Sequence, residues 1–218
     1  MENRAPAILV LDFDGTIALT DVGNEICERF ATPSWTAINE RYLNGELALN
    51  EAQHQMWSLV RANAKEVSKL LETVILRPGL GRLLARANAH GVPVIVASGG
   101  FRWYIERLLR PWLSQIDSIY ANELVFLPNR IIEPKFPHLS CLSCHRCALC
   151  KAKLLARLRT QHSSVSTMIF VGDGASDHCA AQSADTLYVV CGSFLHTHAQ
   201  QLGLSHIAFE SFDSVVVA

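Results

Sequence analysis

Ala7-Ile8-Leu9-Val10-Leu11 is an uninterrupted apolar run, the pattern of a strand covered on both faces. Beyond it the apolar positions recur at helical spacing over Val22–Phe30, Trp35–Leu43 and 51–71, and no strand pattern intervenes before Val92. This predicts an all-helical segment inserted after the first strand. Arg77-Pro78-Gly79 punctuates its end, and 80–90 reads as a helix closed by Gly91. A second apolar run, 92–97, predicts another buried strand that ends in Ser98-Gly99-Gly100.

The rest of the chain alternates in the same way. A helix is expected over 101–109, a strand over 118–121, and a hairpin from 123–126 and 130–133 turned by Pro128-Asn129. The segment 134–150 reads as loop and 151–160 as a helix. A strand over 167–171, a helix running to Ala184 and a strand over 187–190 complete the series. Such alternation predicts an α/β fold whose mostly parallel sheet is covered on both faces, with functional groups at the carboxyl ends of the strands. The expected division is a core of residues 1–18 and 78–218 and a small helical cap of residues 19–77.

Composition narrows the functional classes. Half of the 218 residues are apolar, enough for a sizeable core, and 19 basic against 20 acidic side chains leave a net charge of −1. That balance provides no electrostatic footprint for nucleic acid or an anionic membrane. The first apolar stretch is too short, and too soon interrupted by aspartates, for a signal peptide or a membrane span, so a cytoplasmic protein is expected. Seven cysteines, four of them within one decapeptide, do not resemble the spaced framework of a secreted disulfide protein.

The strand ends carry the chemistry. Asp12 and Asp14 follow the first strand, Ser98-Gly99-Gly100 the second, and Asp173 and Asp177 the one over 167–171, while Lys151 opens the helix before it. A carboxylate that attacks phosphorus approaches a dianion, so it needs a divalent cation such as Mg²⁺ and further positive charge. Asp12 and Asp173 are candidate metal ligands, and Lys151 supplies charge. Ser98 with the backbone N–H groups of Gly99 and Gly100 can cradle phosphate oxygens. Asp14 lies two positions beyond a nucleophilic Asp12, placed to protonate a leaving oxygen and then activate water.

These motifs, Asp12-Phe13-Asp14-Gly15-Thr16, Ser98, Lys151 and Gly172-Asp173-Gly174-Ala175-Ser176-Asp177, occur in the order seen in the haloacid dehalogenase-like phosphatases, which the chain resembles over nearly its whole length. The resemblance implies a Rossmann-like core and an aspartyl-phosphate formed on Asp12. It further implies Asp14 as general acid/base, Ser98, Gly99 and Lys151 as phosphate ligands, and Mg²⁺ held by Asp12, Asp173 and the Asp14 main-chain carbonyl. Asp177 would orient the lysine and the metal's waters. The position of the cap is similar to that in the phosphoserine phosphatase branch. Phe30-Ala31-Thr32-Pro33-Ser34-Trp35, Arg77-Pro78-Gly79, Asn122-Glu123 and the Cys150-Lys151 junction are similar to the methionine-salvage phosphatases that act on 2-hydroxy-3-keto-5-methylthiopentenyl 1-phosphate. The expected partner is a small phosphoester, by this resemblance 2-hydroxy-3-keto-5-methylthiopentenyl 1-phosphate, with phosphoserine or another small phosphoester as alternatives.

Other features have competing readings. Lys135 is a rival to Lys151, set aside because the resemblance places the lysine directly after Cys150. Cys141, Cys144, Cys147 and Cys150 follow a C-x2-C-x2-C-x2-C spacing that suits a second metal, Zn²⁺ before an iron–sulfur cluster, or simply a reduced, partly buried loop. From a different class, that loop could be the working part of a non-enzymatic metal-binding or interaction module, a reading that the intact Asp12, Asp14, Ser98, Lys151, Asp173 and Asp177 argue against. Trp35, Arg41, Tyr42, Met56 and Trp57 in the cap could meet a substrate tail, although aromatics at helical spacing belong more often to a core. Asp21 and Glu25 could face a substrate ammonium or serve as ordinary partners of a helix dipole.

Overall fold

The computed structural model describes residues 7–138, 147–162 and 165–217. Strand β1 (Ala7–Leu11) lies at the centre of a seven-stranded sheet, completed by β2 (Val94–Phe101), β3 (Ser118–Leu127), β4 (Ile131–Lys135), β5 (Thr167–Gly172), β6 (Thr186–Val190) and β7 (Ile207–Phe209). The order is β4-β3-β2-β1-β5-β6-β7. All neighbours are parallel except β3 and β4, which pair antiparallel as the hairpin pattern requires. Every residue of β1 is buried. Leu9 and Leu11 enter one hydrophobic cluster and Ile8 and Val10 the other, so the alternating side chains of one strand nucleate a core on each face of the sheet.

Helices α1 (Val22–Phe30), α2 (Trp35–Leu43), α3 (Leu49–Leu59) and α4 (Ala64–Leu71) form the insert, and α5 (Leu80–Ala89) returns the chain to the sheet. The insert shares the cluster of Leu9 and Leu11, where Trp57 meets the Phe101 ring edge-on at 4.9 Å. Two crossing segments join it to the sheet and pair with each other. Leu19 N donates to Ile75 O at 2.9 Å and Arg77 N to Ile17 O at 2.7 Å. A third attachment comes from the β3–β4 turn, where Arg130 O accepts from Ala62 N and the Arg130 guanidinium pairs with Glu66 at 2.8 Å.

The remaining helices are α6 (Arg102–Leu108), α7 (Lys151–Gln161), α8 (His178–Ala181) and α9 (Phe194–Gln201). Four local expectations change. The segment 51–71 is two helices, because Val60 is extended and Asn63 starts a new helix by accepting from Lys65 N and Glu66 N, with Glu66 bonding back to Asn63 N. Strand β2 runs on through Ser98-Gly99-Gly100 to Phe101, with its register to β3 shifting between Ala97 and Phe101. The third strand and the first arm of the hairpin are one strand, β3, which pairs with β2 first and β4 later. Beyond Val190, α9 and β7 extend the alternation past the strand expected to close it. Among the described residues no helix is long and apolar enough to cross a membrane.

Candidate active site

Asp12 continues the β1 ladder by donating its N–H to Val171 O at 2.9 Å, and the chain then turns sharply. Phe13 O accepts from the backbone of Thr16, Ile17 and Ala18. Gly15 makes the turn at φ +76°, where a Cβ would lie 2.2 Å from Asp173 Oδ2, so conformation and close approach both require glycine. The turn delivers the two carboxylates into different surroundings.

Asp12 is 4% exposed and meets the Lys151 ammonium at 2.7 Å. Lys151, at the start of α7, is itself 1% exposed and is also paired with Asp177. Asp177 Oδ2 accepts from Asp173 N and Gly174 N, both at 3.0 Å, and thereby shapes the loop that follows β5. Asp173 accepts from the Thr16 hydroxyl at 2.6 Å. One ammonium therefore serves a group of three carboxylates, Asp12, Asp173 and Asp177, whose oxygens lie within 4.8 Å of one another. Burial, then the Asp177 charge, pushes Asp173 up to about 7. The same causes hold Asp12 well above the usual carboxylate range against the pull of Lys151. Burial alone would lower Lys151, but Asp12 and Asp177 outweigh it and hold the ammonium charged. Hard oxygen donors carrying an excess of negative charge fit Mg²⁺.

Asp14 takes no part in that group. Its Oδ1 accepts from Val22 N at 3.0 Å, and its Oδ2 from the Tyr104 hydroxyl at 2.9 Å and from Ser98 Oγ at 3.3 Å. Burial, followed by the Asp21 charge, pushes its carboxyl up to about 8, against these hydrogen bonds. A carboxyl in that range can carry a proton at neutral pH and give it away. Ser98 Oγ also accepts from Gly100 N at 2.9 Å, so the serine links the glycine turn to Asp14.

The matching family model, haloacid dehalogenase-like hydrolase, covers residues 9–182. The chain belongs to this family. A 2-hydroxy-3-keto-5-methylthiopentenyl-1-phosphate phosphatase from Bacillus cereus (strain AH187) is 31% identical over 94% of this chain and 91% of its own length. A bifunctional enzyme MtnB/MtnX from Bacillus licheniformis is 30% identical over 95% of this chain, which spans about half, 48%, of that relative. Among solved structures, a substrate-bound phosphoserine phosphatase superposes with a TM-score of 0.73 at 18% identity, covering 96% of this chain and 95% of that one. As a haloacid dehalogenase-like phosphatase, the protein is a phosphoric monoester hydrolase.

Of the residues singled out from sequence, the fold brings Asp12, Lys151, Asp173 and Asp177 into one group and Asp14 beside Ser98. Lys135 stands apart, exposed and paired with Glu133. Trp35, Met56 and Trp57 belong to the core, Arg41 pairs with Glu46 at 3.5 Å on the surface, and Tyr42 is half-buried. Asp21 caps α1 through Asn24 N, and Glu25 accepts from the Thr20 hydroxyl. Cys147 and Cys150 are buried beside Lys151 in the chain, while Cys141 and Cys144 lie outside the described residues.

Four supporting residues had no role assigned from sequence, although Arg77 and Asn122 lie in segments that carry the resemblance. Tyr104 holds Asp14. Arg77 is 8% exposed and donates to the carbonyls of Thr16, Gly15 and Glu210 at 2.7, 2.8 and 3.2 Å, bracing the turn after β1 from behind. Gln53 of α3 and Asn122 of β3 both donate to Gly99 O, at 3.0 and 2.8 Å. Among the described residues the amide oxygens of these two buried side chains have no hydrogen-bond partner, a cost of about 1–3 kcal/mol for each buried polar group left unpaired. Arg77-Pro78-Gly79 was visible as punctuation, but no spacing rule signals a side chain whose partner is a backbone carbonyl.

Proposed function

We propose that the protein is a Mg²⁺-dependent phosphomonoesterase that works through an aspartyl-phosphate on Asp12. The observation that carries this reading is the separation of two carboxylates one residue apart: Asp12 against an ammonium, Asp14 against a phenol, a serine and a backbone N–H. Environments that divide a pair in this way assign nucleophile and acid. Asp12 attacks phosphorus as the ester P–O bond breaks, and the Asp14 proton passes to the leaving oxygen. Water then attacks phosphorus, the bond to Asp12 breaks, and Asp14 takes the proton from the water. Lys151 and Ser98 bind phosphate oxygens, with Gly99 giving the close backbone approach. Mg²⁺, held by Asp12, Asp173 and the Asp14 carbonyl, would supply charge neutralisation at the phosphoryl group. Asp177 keeps Lys151 and the Asp173 loop in place.

The substrate we propose is 2-hydroxy-3-keto-5-methylthiopentenyl 1-phosphate, the compound in the name of the Bacillus cereus relative. Local hydrogen bonds of the cap's charged groups are the observation that we read as favouring an uncharged tail over an amino acid. Asp21 and Glu25 are engaged as local hydrogen-bond acceptors, and the Arg61 guanidinium turns to the carbonyls of Ser58 and Val60 at 2.7 and 2.9 Å. Phosphate release from the enol phosphate and from phosphoserine, measured side by side with Mg²⁺ and with Asp12→Asn as blank, tests the reading. Preference for the enol phosphate is expected. Preference for phosphoserine would overturn the substrate, and no release from any phosphoester would overturn the chemistry.

A further inference from the structure

We infer, on the basis of the phosphate-binding role proposed for Ser98 and Gly99, that Gln53 and Asn122 are positioning residues whose shared grip on the Gly99 carbonyl sets the phosphate turn and ties it to the cap. The Gly99–Gly100 peptide joins two residues without side chains, so nothing of its own restrains its plane. Both glycines sit close to their neighbours, Gly100 prohibitively so. A Cβ on Gly100 would lie 1.9 Å from the Tyr104 hydroxyl and 2.3 Å from Asp14 Oδ2, and one on Gly99 would press on Leu49 Cδ2 at 3.0 Å. The restraint comes from outside, from the Gln53 and Asn122 amides on one carbonyl.

A peptide is planar, so fixing the Gly99 C=O fixes the direction of the Gly100 N–H. That N–H donates to Ser98 Oγ, and Ser98 donates in turn to Asp14 Oδ2. A continuous path thus runs from helix α3 of the cap, through one rigid peptide, to the carboxyl that handles the proton. Asn122 anchors the path in the core at the point where the β2–β3 register resumes, opposite Phe101. Gln53 anchors it in the cap, on the same face of α3 as Leu49, four residues earlier. Because a carbonyl only accepts, both amides must turn their NH₂ groups to it, and among the described residues neither amide oxygen finds a donor. Two buried residues kept in this costly orientation mark a requirement of the site rather than of packing.

Gln53→Met keeps the length and burial of the side chain and removes the donor. Its kcat on p-nitrophenyl phosphate is expected to fall about tenfold, the equivalent of about 1.4 kcal/mol, with a smaller change in KM, and the Gly100 amide resonance is expected to move. Gln53→Glu donates to Gly99 O only when its carboxyl is protonated, so its deficit relative to wild type should shrink as pH falls. Ser98→Ala, with inorganic phosphate as competitive inhibitor, tests the underlying turn separately. Wild-type kcat and an unmoved Gly100 resonance in Gln53→Met, with phosphate inhibition weakened in Ser98→Ala, would overturn the grip and leave the phosphate turn standing. Unchanged phosphate inhibition in Ser98→Ala would overturn both.

Discussion

Replacing Tyr104 by Phe removes one oxygen and leaves a ring that packs against Phe13 and Phe101, at centroid distances of 5.9 and 6.2 Å, so the fold should survive. The lost hydroxyl makes the 2.9 Å bond to Asp14 Oδ2 and leaves that oxygen with Ser98 alone, at 3.3 Å. A hydrogen bond to a charged group contributes about 1.5 kcal/mol at the low end, or roughly a tenfold loss in kcat/KM. The pH profile gives an independent signature. Burial holds Asp14 up at about 8, while the Tyr104 bond favours the ionised form and pulls downward. Without it the carboxyl should rise further, so the acid stays protonated to higher pH. The alkaline limb of kcat/KM should therefore move up even as the plateau falls. Phosphate release measured from neutral to alkaline pH reads both quantities. A plateau and limb identical to wild type in folded protein, or a limb displaced to lower pH, would refute the assignment of Asp14 as the proton donor held by Tyr104.

Gly100→Ala should cost about 100-fold or more in kcat/KM, because its Cβ would displace both Tyr104 and Asp14; kinetics beside a circular dichroism check on folding decide it. Arg77→Met strands three carbonyl acceptors and should lower stability by about 3 kcal/mol, a fall in Tm of about 6–12 °C for a chain of this size, read by thermal denaturation. Chelation should abolish turnover, and Mg²⁺ at about 100 times its Kd should add about 2.7 kcal/mol of stability. Because Asp173 without the cation sits near 7, protons compete for it, and the apparent Mg²⁺ affinity should fall as pH drops through that value, as titration calorimetry at several pH values would record.

The central strand and the order of catalytic motifs were legible because each is a local signal. An unbroken apolar run reports two-sided burial, and a carboxylate at its end has few cheap structural explanations. The break at Val60 was hidden because the apolar spacing continues through 51–71 while the backbone does not, and only the Asn63 cap betrays the restart. Helix α9, with sequence FLHTHAQQ, buries just Leu195 and Ala199, and β7 is three residues long, so neither carries a periodic signal. Tyr104, Gln53 and Asn122 act on partners that the fold alone brings within reach, across 90, 46 and 23 residues of chain. No spacing rule contains such pairs. Lys151 was identifiable through the resemblance, whereas its burial between Asp12 and Asp177 could come only from three dimensions.

The attachment of the β3–β4 turn to the cap has a mechanical consequence. Two covalent crossings, paired at Ala18 and Leu76, would by themselves define an axle about which the helical insert could swing against solvent drag. The fastening of Arg130 to Ala62, Arg61 and Glu66 lies away from that axle and, beside the shared apolar cluster and the Gln53 bond to Gly99 O, resists the swing. A swing of the insert would therefore have to break these polar contacts and part apolar surface together, and the share carried by the surface Arg130–Glu66 pair is the part that salt weakens.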